Sequence, residues 1–235
     1  MATTLSLPRR MRADDVFFPA MGLLILGVVV LGFAQSYFFA GMLRAKLPNT
    51  LVHVHGALYV SWILLVTAQP WLIATGQVRW HMRLGVLGVI LPPLMVVIGV
   101  LTVFDFVRRD DGTSIPPQLL MAGDFMELAL FVALTSWGLL ERRHAATHKR
   151  LMILGTMAIL GPAIARWPIP FNPLLIIGMQ LALPLLVVVY DVWSNGRVLR
   201  STAIGYAVIA VGLLSALPIA SLAFWQGVTA WIRHT

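Results

Sequence analysis

Long apolar segments separated by short polar connections dominate the chain. About seven of them have the length of roughly 20 residues that a helix needs to cross the apolar core of a bilayer. They lie near residues 16–40, 52–74, 83–104, 118–140, 150–168, 172–192 and 203–226. No window alternates apolar and polar residues with period two, as barrel strands do. The pattern therefore predicts one all-α domain over residues 1–235, a polytopic transmembrane bundle of about seven helices.

The composition supports a lipid environment for these helices. Hydrophobic residues make up 59% of the 235 residues and charged residues only 11%, whereas soluble domains carry about 25% charged residues. Too few polar side chains are present to cover a water-facing surface. The absence of cysteine also excludes disulfides, thiolate metal sites, iron–sulfur clusters and covalently attached haem.

The formal net charge of +8 does not indicate a nucleic-acid partner. The basic residues lie in short connections between apolar segments, where they orient helices and meet anionic lipid headgroups. We expect a protein of the bacterial inner membrane, and the uneven distribution of its basic residues between the two sides predicts its orientation. The N-terminus is expected on the cytoplasmic side and the C-terminus on the periplasmic side.

One eight-residue sequence motif occurs twice along the chain. Residues 81–88 read HMRLGVLG, and residues 148–155 read HKRLMILG. Each copy opens an apolar segment with a histidine and an arginine at the membrane edge and places a glycine seven residues after the histidine. We interpret the repeat as a duplicated four-helix core formed by spans two to five, with the two halves related by an axis normal to the membrane. A coincidence between two basic helix starts is the alternative.

The matched histidines are candidate axial ligands of one b-type haem. The predicted cofactor-binding residues are His81, His148, Gly88, Gly155, Arg83 and Arg150. Each glycine shares a helix face with its histidine and leaves room for a flat macrocycle, and the arginines, with Arg79, would pair with the propionates. The alternative is that these are interfacial basic residues and packing glycines.

A zinc site is a second interpretation of the histidines at this edge of the membrane. His144 and His148 lie one turn apart, and His81 would complete a three-histidine set of the kind that intramembrane hydrolases use. The crowd of arginines and lysines around these histidines disfavours a dication there.

Two acidic residues within the fourth span mark an outer site. Asp124 and Glu127 share a helix face and lie about two turns inside the membrane, where charges are costly and by default functional. His55 and Tyr59 belong to a polar stripe on the second span. The predicted proton-relay residues are Asp124, Glu127, His55 and Tyr59, and the alternative metal ligands are His53, His55, Asp124 and Glu127.

A structural ion pair is the competing interpretation of the outer site. Arg166 lies at comparable depth near the outer end of the fifth span. It follows His148 by 18 residues, or about five turns of a helix, and should therefore face into the bundle. We expect it to pair with Asp124, or with Glu127, and to leave His55 hydrogen-bonded nearby.

Several of these residues carry a resemblance to known families. They are His55-Gly56, Gln69, the run from Arg79 to Gly85, His148 with Met152, and Arg166. Residues 53–166 resemble uncharacterised bacterial polytopic membrane protein families, domains of unknown function, which implies a multi-helix membrane protein. A weaker similarity, to the b-type cytochromes of the b561 group, implies one haem near each face. Asp124 stands where the outer haem would need a histidine, so a single haem is expected.

Three functional hypotheses follow. The first is a redox- or metal-linked membrane protein that holds one haem b or another metal, neither covalently attached, and passes electrons between a quinol and a partner protein. The alternative is a non-enzymatic membrane subunit or assembly factor whose buried charges only fix helix packing. The third is an intramembrane zinc hydrolase. The expected partners are the lipid bilayer and a quinol or another membrane subunit.

Overall fold

Helices make up nearly all of the structure, a computed structural model that describes residues 12–39, 49–109, 116–169 and 172–234. In chain order they are α1 (Asp14–Phe33), α2 (Thr50–Ala74), α3 (Val78–Gly85), α4 (Leu87–Arg109), α5 (Pro117–Leu140), α6 (Ala145–Met157), α7 (Gly161–Ile164), α8 (Pro173–Asn195), α9 (Arg200–Ala220) and α10 (Ala223–His234). A π-helical segment, Ala34–Phe38, extends α1. No strand occurs in the described ranges, so the all-α prediction is confirmed.

Six helical segments of the described chain are long and apolar enough to cross a membrane. They are Asp14–Phe38, Thr50–Ala74, Val78–Arg109, Pro117–Leu140, Pro173–Asn195 and Arg200–Ala220. Helices of this length and apolarity are those of an integral membrane protein. The predicted last span, 203–226, is shorter than expected because α9 ends at Ala220 and a separate helix, α10, follows.

The predicted fifth span, 150–168, is not one continuous helix. α6 ends at Met157, and α7 contains only four residues. Pro162 explains the break, because proline has no N–H and cannot bond to the carbonyl of Ala158, four residues earlier. The prediction of seven continuous helices is therefore not confirmed.

α6 and α7 lie beside α1 along its whole length. At the end of the bundle where α1 begins, which we call the proximal end, Lys149 Nζ lies 2.5 Å from a carboxylate oxygen of Asp14. At the end where α1 finishes, the distal end, Gly32 packs directly against the backbone of Ala163. The broken helix therefore extends parallel to α1 between the two ends of the bundle.

Four helices form a ring at the centre of the bundle, in which α2 packs on α4, α4 on α5, α5 on α6 and α6 on α2. Trp62 and Phe131 fill the middle of the ring. Both are fully buried, and their rings meet edge to face with centroids 5.2 Å apart. The Trp62 indole N–H donates to the Thr156 hydroxyl at 3.1 Å. This layer separates the polar side chains of the proximal end from those of the distal end. That the ring arose by duplication stays a prediction.

A buried ion pair joins three helices near the proximal end. The Arg150 guanidinium on α6 donates from Nε and Nη2 to Oδ1 of Asp191 on α8, at 2.8 and 2.6 Å. The other carboxylate oxygen accepts from the N–H of Leu199, at the start of α9, at 3.0 Å. Removing one partner of such a pair typically costs about 3–5 kcal/mol, because the other charge is left buried alone. The pair therefore fixes α6 against α8 and α9.

We expect Gly32→Ala to destabilise the bundle, because the new methyl group would overlap the Ala163 backbone and force α1 and α7 apart. Overpacking of this kind costs about 1–3 kcal/mol. Gly27→Ala on the same helix is the matched control, since nothing lies within 4 Å of its Cβ position and alanine has the higher helix propensity. Thermal unfolding of the two variants in one detergent measures the difference. Equal melting temperatures would contradict the close contact between α1 and α7.

Candidate functional site

Six polar side chains converge in the distal half of the bundle, and we call them the distal polar cluster. They are His55 and Tyr59 on α2, Asp124 and Glu127 on α5, Arg166 after α7, and Gln180 on α8. The Arg166 charge acts on both Asp124 and His55. Both carboxylates act electrostatically on Tyr59. The structure thus brings the four predicted proton-relay residues into one place.

Glu127 is buried at the helix break. Its carboxylate accepts hydrogen bonds from the Gly161 N–H and from the Gln180 amide. Gln180 is almost fully buried, and its Nε2 also donates to the Ala158 carbonyl at 3.2 Å. This is the carbonyl that Pro162 leaves without its helical partner. Glu127 and Gln180 therefore satisfy the backbone of the broken helix, as apolar surroundings require.

Tyr59 connects the cluster to α4. Its hydroxyl donates to the Met95 carbonyl at 3.2 Å. Gly99 provides the space, because a Cβ at that position would lie 2.6 Å from the hydroxyl oxygen. The Tyr59 ring stacks on the His55 imidazole with centroids 4.0 Å apart and planes inclined by 21°. Tyr59 therefore fixes the orientation of the His55 ring.

His55 has an unused ring nitrogen. Its Nδ1 is buried and has no hydrogen-bond partner within the part of the chain that the structure describes. Buried polar atoms are nearly always paired, and one left unpaired costs about 1–3 kcal/mol. The His55 imidazole therefore keeps one ring nitrogen that no group in the described chain engages.

The predicted ion pair between Arg166 and Asp124 is not formed. Among the described residues, no nitrogen of Arg166 lies within 4.0 Å of a carboxylate oxygen of Asp124 or Glu127. The guanidinium instead donates from Nη1 to the Pro162 carbonyl at 2.7 Å, and its Cζ lies 4.9 Å from the centroid of the Phe33 ring. The half-buried Asp124 carboxylate has no hydrogen-bond partner in the same ranges. The opposite charges share the cluster without direct contact.

Neither predicted metal set is assembled. His53 is exposed, and its Nδ1 forms a hydrogen bond of 3.0 Å with the Tyr37 hydroxyl. His144 is 75% exposed and its Nδ1 lies 2.7 Å from a carboxylate oxygen of Glu141. Nowhere in the described ranges do three His, Cys, Asp or Glu side chains come together as a metal site.

The two matched histidines lie at the proximal end. Each is the fourth residue of its helix, His81 of α3 and His148 of α6. The His148 Nδ1 donates to the Gly138 carbonyl at 2.7 Å, which fixes the proton on Nδ1 and leaves a lone pair on Nε2. The Gln69 amide takes the orientation in which its nitrogen donates to the Nδ1 of His81 and its oxygen accepts from the Gly85 N–H. The two imidazoles are close enough for their charges to interact.

The glycines and arginines that were predicted to contact the haem differ in their surroundings. Gly155 packs on α5, where a Cβ would lie 2.8 Å from Cγ2 of Thr135, so no flat macrocycle fits beside it. Gly88 has open space around its Cβ position. Arg150 is occupied by Asp191, whereas Arg83 is exposed. The structure thus leaves one of the two glycines and one of the two arginines free for a cofactor.

Sequence reasoning missed two polar residues of the sixth predicted span, 172–192. They are Gln180, which belongs to the distal polar cluster, and Asp191, which pairs with Arg150. Gln180 stands among apolar neighbours, and Asp191 follows a long apolar run near the end of the same span. Their position within an apolar span was the available signal, because a polar side chain within a membrane helix is costly unless a partner on another helix compensates for it.

Comparisons of the chain with family models, with curated proteins and with solved structures find no match in any of the three. The resemblance to uncharacterised membrane families stays a prediction. Function is therefore inferred from the side chains of the distal polar cluster and of the two proximal histidines.

We expect Gly161→Ala to displace the Glu127 carboxylate, because the added Cβ would overlap Oε1. Loss of the hydrogen bond would leave a buried backbone N–H unpaired, at a cost of about 1–3 kcal/mol. Gly178→Ala on α8 is the control, since nothing lies within 4 Å of its Cβ position. Melting temperatures in detergent compare the two variants. If Gly161→Ala is as stable as Gly178→Ala, Glu127 does not stabilise the break.

Proposed function

We propose that the distal polar cluster is a proton-transfer site within an integral membrane protein, and that Asp124 and His55 exchange the proton. The supporting observation is that neither side chain has a hydrogen-bond partner in the described chain, although both are partly buried. A charge that serves only packing is expected in direct contact with its counter-charge. Arg166 is near Asp124 but does not make that contact.

The remaining members of the cluster position the exchanging pair. Tyr59 holds the His55 ring by stacking, and Glu127 holds the backbone of the broken helix. Arg166 supplies a fixed positive charge beside Asp124. In the described chain Asp124 and His55 are not in direct hydrogen-bond contact, so the Asp124 carboxyl group gives its proton to the His55 imidazole through one bridging water, which leaves a carboxylate and an imidazolium. General acid–base exchange requires two groups within hydrogen-bond reach of each other, directly or through one water.

Proton movement into sealed proteoliposomes tests this proposal, with a potassium diffusion potential as driving force and a pH-sensitive dye inside. We expect Asp124→Asn and His55→Phe each to slow the movement by roughly a hundredfold, because each removes one acid–base partner. The melting temperatures should change little. His53→Phe is the matched control on the same helix, because His53 contacts Tyr37 instead.

Two outcomes would contradict the proposal. Wild-type vesicles that move protons no faster than empty vesicles would exclude a conducting site. Asp124→Asn that lowers the melting temperature and leaves proton movement unchanged would favour the non-enzymatic alternative, a membrane subunit or assembly factor with structural charges.

A second candidate function is electron transfer through one b-type haem between His81 and His148. The observation that favours it is the Nδ1 hydrogen bond of His148, which presents Nε2 as metal-binding histidines do. The residues fit a haem in part, since Arg79 and Arg83 are exposed at the same end whereas Gly155 and Arg150 are occupied. A haem would supply one-electron chemistry, for which a quinol and a partner protein are the proposed reaction partners.

The visible absorption spectrum tests the haem candidate. Protein expressed with ample haem should show a Soret band that His148→Ala and His81→Ala each abolish. His144→Ala is the control, because this exposed histidine pairs with Glu141 and should leave the band unchanged. A colourless wild-type protein from the same cells would overturn the candidate.

We further propose that α6 and α7 together form a seventh membrane crossing. In support, the segment runs beside α1 from Asp14 at the proximal end to Gly32 at the distal end. Broken helices are tolerated at membrane depth where neighbouring side chains satisfy the freed backbone groups. Seven crossings would put the two termini on opposite sides of the membrane, and the distribution of basic residues then favours a cytoplasmic N-terminus and a periplasmic C-terminus in a bacterial inner-membrane protein.

A further inference from the structure

We propose that the cleft at the turn between α2 and α3 binds the phosphate headgroup of an anionic phospholipid. The cleft is lined by Gly76, Gln77, Val78, Arg79, Trp80 and Arg83. It lies outside the distal polar cluster, and the proposal does not depend on proton transfer. Because Arg79 and Arg83 are also the candidate partners of the haem propionates, a bound haem and a bound lipid would compete for them.

The charge of the cleft matches a phosphate. Arg79 and Arg83 are four residues apart on α3 and therefore share one helix face. Both side chains are exposed, and neither forms an ion pair within the described residues. The lining contains no acidic residue. Two adjacent guanidinium groups present the donors that bind phosphate oxygens in a bidentate manner.

An apolar stripe beside the two arginines favours a lipid over a free phosphate ion. Val78 and Met82 each precede one of the arginines and are 47% and 62% exposed. Trp80 is 52% exposed, as an interfacial tryptophan would be, and the Cζ of Arg83 lies 5.4 Å from its ring centroid. A phospholipid can place its phosphate on the arginines and its acyl chains along the apolar stripe, whereas inorganic phosphate would use only the arginines.

Native mass spectrometry of the full-length protein, titrated with phosphatidylglycerol or phosphatidylcholine in detergent, tests the proposal. We expect phosphatidylglycerol to bind more tightly. The Arg79→Gln/Arg83→Gln double variant should weaken it by roughly thirtyfold, which corresponds to about 2 kcal/mol for two arginines. Arg142→Gln/Arg143→Gln is the matched control. It removes the same charge from exposed positions at the α5–α6 turn and should leave the affinity within about twofold.

Three results would overturn the proposal. One is equal affinity for the two lipids. Another is an equal loss in the two double variants, which would reflect net charge alone. The third is displacement of bound phosphatidylglycerol by excess inorganic phosphate, which would identify the cleft as a site for the free ion. Melting temperatures of both double variants confirm that they are folded, and α3 variants that fail this check are replaced by the single variants Arg79→Gln and Arg83→Gln.

Discussion

The organisation of the distal half depends on a proline in the middle of a packed helix. Pro162 cannot donate to the Ala158 carbonyl, and in apolar surroundings every backbone group needs a partner. Side chains from three parts of the chain supply the partners. Gln180 donates to the Ala158 carbonyl, Glu127 accepts from the N–H just before the proline, and Arg166 donates to the proline carbonyl. An amide, a carboxylate and a guanidinium are thereby held together at one depth.

This arrangement divides the polar residues into two groups. Glu127, Gln180 and Tyr59 are bonded to backbone atoms and maintain the shape of the site. Asp124 and His55 stand beside them without such bonds in the described chain. Glu127, Gln180 and Tyr59 are already bonded to backbone atoms. Asp124 and His55 therefore stay without hydrogen-bond partners in the described chain, near the positive charge of Arg166. The proximal end has the opposite character, since Asp191 and Arg150 are bonded completely to each other and to backbone atoms.

Apolar length alone predicted the all-α membrane bundle. Helical spacing predicted that Asp124 and Glu127 share a face of α5, and both carboxylates act electrostatically on Tyr59. The break was missed because residues 158–165 are as apolar as a continuous helix, although the Gly161-Pro162 pair is a signal of a turn. That omission also explains the error at Arg166. The predicted direction of its side chain assumed about five unbroken helical turns after His148. The break changes the angular position of Arg166 around the helix axis, and its guanidinium therefore reaches the Pro162 carbonyl and not Asp124.

The passage of the broken helix through the membrane is the central claim, and site-specific cysteine labelling tests it most directly. The chain contains no cysteine, so single variants report one position each. Arg143→Cys lies in the turn before α6, and Ile169→Cys follows α7. With a membrane-impermeant maleimide on sealed vesicles of known orientation, we predict that the two positions are labelled from opposite sides. Labelling of both from the same side would contradict the seventh crossing and the location of the distal polar cluster within the bilayer.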